Sequence, residues 1–318
     1  MKILLAVDGS YHSDNAVDEI LSQPWTENTE CVVVTVAEPL HAKADAFFGG
    51  LGQKALEAQK ALDTDIKKLL VETTKKLEEK FGKGKVLGNF YEGKAINTIL
   101  DVAKNCQADL VVMGSHGTSG YNDQSFGSVV MAVANNAPCS VRIVHYMPTS
   151  SLEKKQKEKL PMEEARYLVA INASDNSKAL IEMIASRPWP EESIFQVVSI
   201  VPEPKSVFHS RFFKDPKINK AHAEMYKAQK QAMEKLVKES AAKIESKSKK
   251  GGVTYHILEG NVRSLILQLA QDWPADMIIL GAHDRDKNVL EHFFGSVAQA
   301  VVNNADCSVE IVRPKANG

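Results

Sequence analysis

The sequence predicts an α/β protein built from two copies of one domain, each a parallel β-sheet with helices wound onto both faces. Three observations lead there. The chain repeats itself: Ser22-Gln-Pro-Trp25 returns as Ser186-Arg-Pro-Trp189, Glu92-Gly93 as Glu259-Gly260, and Phe126-Gly-Ser-Val129 as Phe294-Gly-Ser-Val297. The order is kept, and the offset drifts only from 164 residues (Ser22 to Ser186) to 168 (Phe126 to Phe294), a period too long for a solenoid and suited to a duplicated domain. Within each copy, short β-branched-rich runs alternate with longer amphipathic segments, the pattern of a sheet covered by helices. Finally, a stretch holding four glycines, GSHGTSGYNDQSFGS from Gly114 to Ser128, joins an apolar run to a helix-like one.

The elements follow in order. Ile3 to Val7 reads as a strand, ending at Asp8-Gly9-Ser10, and Cys31 to Val36 as the next. A long helix then places Leu62, Ile66, Leu69, Leu70 and Leu77 on one face. Val86 to Tyr91, Leu110 to Met113 and Val141 to Val144 complete the strands of the first copy, with an apolar helix-like run from Val129 to Asn135. In the second copy the strands are Tyr167 to Ile171, Phe195 to Val201, Val253 to Leu258, Met277 to Leu280 and Val309 to Val312. Their continuous apolar character predicts burial on both sheet faces, and right-handed crossovers would wind helices onto both. Domains are assigned to residues 1–146 and 165–318, joined by a charged, apolar-poor linker over 147–164.

Composition bounds the function classes. With 318 residues, 44% hydrophobic and 25% charged, the chain has the make-up of a soluble globular protein of about two domains. A net charge of −1 provides no general attraction to nucleic acid or membrane, and neither is expected as a partner. No run reaches membrane-spanning length, and MKILLAVDGS has too short an apolar stretch for a signal peptide, so a cytoplasmic location is expected. Cys31, Cys106, Cys139 and Cys307 show no CxxC spacing and read as buried structural thiols. There is no GxxxxGK[ST], HExxH or GxSxG, the spacings that build a P-loop, a zinc protease site or a nucleophile elbow.

The glycine stretch leaves the C-terminal end of the fourth strand and opens the last helix of the first copy. Backbone N–H groups freed at such a turn, together with the positive end of the helix dipole, make an anion site that needs no cationic side chain. Ser128 is placed to cap that helix or to donate its hydroxyl to a phosphate. Asp8, Gly9 and Ser10 end the first strand, and in open α/β sheets ligands bind beyond the carboxyl ends of strands where the order reverses. His116 and His283 occupy equivalent loop positions and could contact phosphate or act as a general acid, with loop packing the plainer reading.

Gly114, two residues, Gly117, nine residues, then Gly127-Ser128 resembles the nucleotide loop of ATP-binding universal stress proteins, and Asp8 after the first strand matches as well. The resemblance covers both halves and is that of a tandem universal stress protein. It implies two doubly wound, Rossmann-like five-stranded parallel sheets of strand order 3-2-1-4-5, arranged as a pseudo-twofold pair. It also implies ATP, with Mg²⁺, bound between strands one and four. Asp8 and Val36 would contact the adenosine end, Gly114, Gly117, Gly127 and Ser128 would hold the phosphates, and Gly9, Ser10, Met113, His116 and Val129 would complete the site.

The second copy departs from this pattern. Asn172 stands for Asp8, Asp284 for Gly117, and ten residues rather than nine separate Asp284 from Gly295. A carboxylate beside the phosphates would repel them, so the second site is expected to be weak, empty or adapted to another ligand. Glu92 and Glu259 read as turn residues, and the pairs Phe47-Phe48 and Phe212-Phe213 as core. The stretch Lys214 to Lys250 carries 11 Lys against 5 acidic residues and reads as solvated surface. The expected function is a stress-response adenine-nucleotide sensor or regulatory binding module, with a homodimer or another protein as partner. A slow ATPase, an adenylate-handling enzyme, and a scaffold or binder of a different ligand are the alternatives.

Overall fold

The computed structural model describes residues 1–38, 52–117, 126–145, 164–202, 216–282 and 295–314. Two compact units are present, one built on the first half of the chain and the other on the second. The first contains β1 (Lys2–Ala6), α1 (Tyr11–Ser22), β2 (Glu30–Ala37), α2 (Gly52–Phe81), β3 (Val86–Glu92), α3 (Ala95–Asn105), β4 (Leu110–Gly114), α4 (Ser128–Asn136) and β5 (Ser140–Val144). The second repeats the series as β6 (Ala165–Ala170), α5 (Asp175–Ser186), β7 (Ser193–Val201), α6 (Pro216–Ile244), β8 (Val253–Glu259), α7 (Val262–Asp272), β9 (Met277–Gly281), α8 (Ser296–Asn304) and β10 (Ser308–Val312).

Strands in the first unit run in the order β3-β2-β1-β4-β5 and in the second β8-β7-β6-β9-β10, all parallel within each unit. Register repeats too: Ile3 lies beside Cys31 and Leu110, and its equivalent Tyr167 beside Phe195 and Met277. The chain goes from β1 outward to β2 and β3, then returns to place β4 on the other side of β1. That reversal creates a switch point at the C-terminal ends of β1 and β4.

The central strands are covered on both faces. On one face of the first sheet, Ile3, Leu5, Val33, Leu110 and Val112 pack with Ala16 and Ile20 of α1 and Leu70 and Leu77 of α2. The matching core of the second unit stacks Tyr167 on Phe195, ring centroids 5.1 Å apart, with Trp189 edge-on to both. The repeated Ser-x-Pro-Trp motif now has a physical role. Trp25 Nε1–H donates to the carbonyl of Ile20 at 2.8 Å, Trp189 Nε1–H to that of Ile184 at 2.9 Å, and each indole ties its chain to the end of the preceding helix.

Two expectations fail at the margins. The outer strands β3 and β8 are only partly covered, with Leu87 and Tyr255 exposed, because an edge strand lacks a neighbour on one side. Leu62 is 40% exposed although Leu70 and Leu77 are buried. At 1.5 Å per residue the 30-residue α2 is about 45 Å long, whereas the 8-residue β2 spans about 26 Å, so the start of the helix outruns the sheet. Glu92 and Glu259 are the last strand residues, and the turns begin at Gly93 (φ +148°) and Gly260 (φ +143°). All four thiols are free. Burial pushes Cys31, Cys139 and Cys307 up to about 12, and Cys106 is raised by the same cause, which makes poor nucleophiles of them. The Phe47-Phe48 and Phe212-Phe213 pairs, His283 and Asp284 lie outside the described residues, as does the linker up to residue 163.

Candidate functional site

At the switch point of the first unit lies a cleft of about 680 Å³, counting the space open to solvent. Val34 and Val36 from β2, Ala95 and Ile99 from α3, and Met113 from β4 supply an apolar lining. Asp8, Gly114, His116, Gly117, Gly127 and Ser128 supply polar groups and bare backbone, with Val129 and Val130 at the opening of α4. An apolar slot joined to a backbone-rich polar end can enclose a flat heterocycle at one side and an anion at the other.

The turn after β1 is held by its own side chains. Ser10 N–H donates to Asp8 Oδ1 at 3.0 Å, and Ser10 Oγ caps α1 by accepting from Ser13 N–H at 3.1 Å. The same hydroxyl donates to the carbonyl of His116 at 3.3 Å, which fastens the turn to the β4 loop. Gly9 has φ +77°, a conformation that a side chain would strain. Gly9 and Ser10 do not line the cleft; they hold Asp8 in place.

The glycines of the loop serve different purposes. A Cβ on Gly114 would lie 2.3 Å from the carbonyl oxygen of His12, so α1 packs directly on the end of β4 and admits no side chain there. A Cβ on Gly117 would lie 2.9 Å from Asp8 Oδ2, so this glycine opens the space in front of that carboxylate. Gly127 would meet nothing closer than 3.7 Å, and packing does not require a glycine at this position. Its N–H donates to the carbonyl of Ser115 at 3.1 Å, closing the loop at its base. Gly127 is also the N-cap of α4, with no side-chain hydrogen bond, and Ser128 is the first helical residue. The expectation that Ser128 caps this helix is therefore corrected: one residue inside the helix, its hydroxyl is past the position from which a cap reaches the second and third N–H groups.

Behind this lining lies a cluster of histidines that the sequence did not single out beyond His116. Ser115 Oγ is 3.1 Å from His12 Nδ1 and 3.1 Å from His116 Nδ1. The His12 and His116 ring centroids are 4.9 Å apart, and His116 packs against Phe126 (5.9 Å) and His145 (6.2 Å). Burial, reinforced by His116 and opposed by Asp8, holds the His12 imidazole below its ordinary value. Two residues further along α1, burial raises the Asp14 carboxyl, with Lys76 opposing and Asp18 and Asp8 reinforcing. Among the described residues, no group of three or more His, Cys, Asp or Glu is arranged to hold a metal ion. Ala95 and Ile99 also went unread as site residues; their only signal is their position in the first turns of the helix after β3.

The profile of the universal stress protein family matches residues 1–145 and, a second time, residues 165–313. The chain belongs to the universal stress protein family. Universal stress protein MJ0531 of Methanocaldococcus jannaschii is 28% identical over 143 residues, which are 45% of this chain and 81% of that protein. Among solved structures, a universal stress protein from Archaeoglobus fulgidus superposes with a TM-score of 0.56 at 17% identity, covering 98% of this chain and 96% of that one. The protein PA1789 from Pseudomonas aeruginosa, described as functionally unknown, does so with a TM-score of 0.56 at 13% identity, covering 99% and 92%. These likenesses establish the universal stress protein fold. No helix among the described residues is long and apolar enough to cross a membrane.

Proposed function

We propose that the first domain binds an adenine nucleotide, ATP in the first instance, in the cleft between β1 and β4, and that the bound state serves as a regulatory signal in the stress response. The single observation that carries this reading is the joining, in one cleft, of an apolar slot to the N-terminus of α4, where Gly127 provides no side-chain cap. The adenine would lie among Val34, Val36, Ala95, Ile99 and Met113, and the phosphates would take backbone N–H groups at Ser128 and Val129, which line the cleft at the start of α4. Gly117 keeps that space open with Asp8 facing it, and Gly114 lets α1 close on the end of β4. Mg²⁺ accompanying a triphosphate would be held through phosphate oxygens and water, with Asp8 the carboxylate that lines the cleft.

Binding is favoured over catalysis because, among the described residues, no Lys or Arg lines the cleft to stabilise charge on a transferred phosphoryl group. A protein partner or a second copy of the chain would receive the signal. Native mass spectrometry of the purified protein tests this reading: a co-purified adenine nucleotide supports it, and failure to bind any adenine compound on subsequent titration overturns it.

A further inference from the structure

The cleft presents an anionic ligand with an unusual charge balance. Among the described residues, Asp8 is the charged side chain in the lining, and no Lys or Arg joins it. A helix N-terminus contributes roughly half an elementary charge, too little to neutralise a triphosphate facing a carboxylate. Among the described residues, the lining group that can become fully cationic is His116, and Ser115, buried behind it, links it to His12. We infer that His12, Ser115 and His116 determine which phosphate charge the site accepts, so that the cleft selects adenine nucleotides by their number of phosphates and the selection shifts with protonation. This rests on the nucleotide reading of the cleft and deepens it.

Hydrogen-bond chemistry couples the two rings. The Ser115 hydroxyl has one proton and two lone pairs, yet its oxygen is 3.1 Å from Nδ1 of both His12 and His116. With both imidazoles neutral, the hydroxyl donates to one Nδ1 and must accept Nδ1–H from the other, so the rings hold opposite tautomers. A proton arriving on the accepting ring makes both rings donors. Ser115 then accepts from both, and its own proton turns to a new acceptor. His116 lines the cleft, so a phosphate there favours the same protonated state electrostatically. An incoming anion therefore recruits a proton to the pair, whereas a neutral nucleoside does not.

The groups facing the pair come from each surrounding element. They are Asp8 after β1, Tyr11 on α1 with its ring 5.7 Å from His12, Asp14 on α1 with Lys76 of α2 acting on it, and His145 after β5, 6.2 Å from His116. Asp8 favours a charged His12, while burial and His116 oppose it. Protonation of the pair therefore sets how much phosphate charge the cleft offsets. As pH falls, the preference moves toward higher phosphate number.

Calorimetric titration of the full chain with adenosine, AMP, ADP and ATP, Mg²⁺-free, at about pH 6 and about pH 8 tests this. The terminal phosphate itself titrates near pH 6, so the wild type is read against His12→Asn, which places at this position the residue that the second copy carries as Asn176. The expected result is that ATP affinity rises about tenfold more between pH 8 and pH 6 in the wild type than in His12→Asn. Two buffers of different ionisation enthalpy should also show proton uptake by the wild type on binding ATP and none on binding adenosine. That second measurement, and His116→Gln, keep the test valid if His12→Asn does not fold. Equal pH dependence in wild type and folded variants, with no excess proton uptake, overturns the inference while leaving nucleotide binding intact. If no adenine compound binds at either pH, the nucleotide reading itself fails and this one falls with it.

Discussion

The two copies in this chain are built alike and equipped differently. Ser10 caps α1 and Ser174 caps α5, each accepting from the N–H three residues on. Asp8 Oδ1 and Asn172 Oδ1 each accept from the backbone N–H two residues ahead, at 3.0 and 3.1 Å. The turn therefore survives the loss of the charge. Where His12 meets the Ser115 hydroxyl, the equivalent Asn176 donates instead to the carbonyl of Ala282 at 2.5 Å, and the titratable pair is replaced by a fixed tie. The interiors differ in another way. Glu19 of α1 accepts from Arg142 of β5 at 2.9 Å, whereas Glu310 of β10 accepts from Arg187, just after α5, at 2.8 and 3.1 Å. Acid and base have exchanged places between helix side and strand. The difference teaches that the fold needs only complementary charge at this position, while the cleft needs particular groups.

The largest effect that would sharpen this comparison is in those ion pairs. Arg187→Met should cost about 3 kcal/mol or more, because Glu310 is fully buried and cannot turn to water. Arg142→Met should cost less, since Glu19 is 18% exposed and can be hydrated in place. Differential scanning calorimetry of both variants checks the order; equal losses would show that burial of the partner does not decide the cost.

Next come the glycines at the ends of β4 and β9. Gly114→Ala drives a Cβ to 2.3 Å from the His12 carbonyl oxygen and should displace α1, with a loss of about 2–4 kcal/mol and of nucleotide affinity. Gly281→Ala meets Asn176 Cβ at 3.0 Å and should be milder. Gly127→Ala, with nothing closer than 3.7 Å, should leave stability within about 0.5 kcal/mol. Urea unfolding ranks the three, and a destabilising Gly127→Ala would show that packing at the loop base has been misjudged.

The smallest expected effect is in pH dependence. His12 has a folded-state value below its ordinary 6.5, so the folded first domain binds fewer protons than the unfolded chain once pH drops through about 6.5. Its stability should fall from there toward more acidic pH. His12→Asn should remove that contribution, and the second copy, with Asn176, has none from this position. Melting at a series of pH values between about 5 and 8 reads this, and a wild type and variant with parallel profiles would refute it.

Much of the fold was legible because burial of central strands demands unbroken apolar runs, and Leu110 to Met113 or Val141 to Val144 cannot be much else. Strand ends were less visible, because Glu30, Ser140 and Ser193 join the ladder through their backbone, which any side chain permits. The polar end of the cleft was legible through its glycine spacing, yet spacing could not tell Gly114, demanded by helix packing, from Gly127, which is not. Of the apolar wall, only Val36 and Met113 were legible, and those through the family resemblance. Ala95 and Ile99 look like any helix residues until β2, β1 and β4 are laid side by side and α3 is carried over them. His12 was hidden for the same reason: its partner Ser115 is 103 residues away.

The central claim is one nucleotide site per chain, in the first copy. Stoichiometry by calorimetry on the wild type and on Gly117→Asp, with circular dichroism as the control for folding, tests it most directly. Gly117→Asp introduces the residue that the second copy has at position 284 and sets a second carboxylate against Asp8 Oδ2, 2.9 Å from the new Cβ. The account predicts one adenine nucleotide per wild-type chain and at least a tenfold loss of affinity in the folded variant, on the order of 1.4 kcal/mol or more. Two equivalents per wild-type chain, or a single equivalent that persists undiminished in Gly117→Asp, would contradict it.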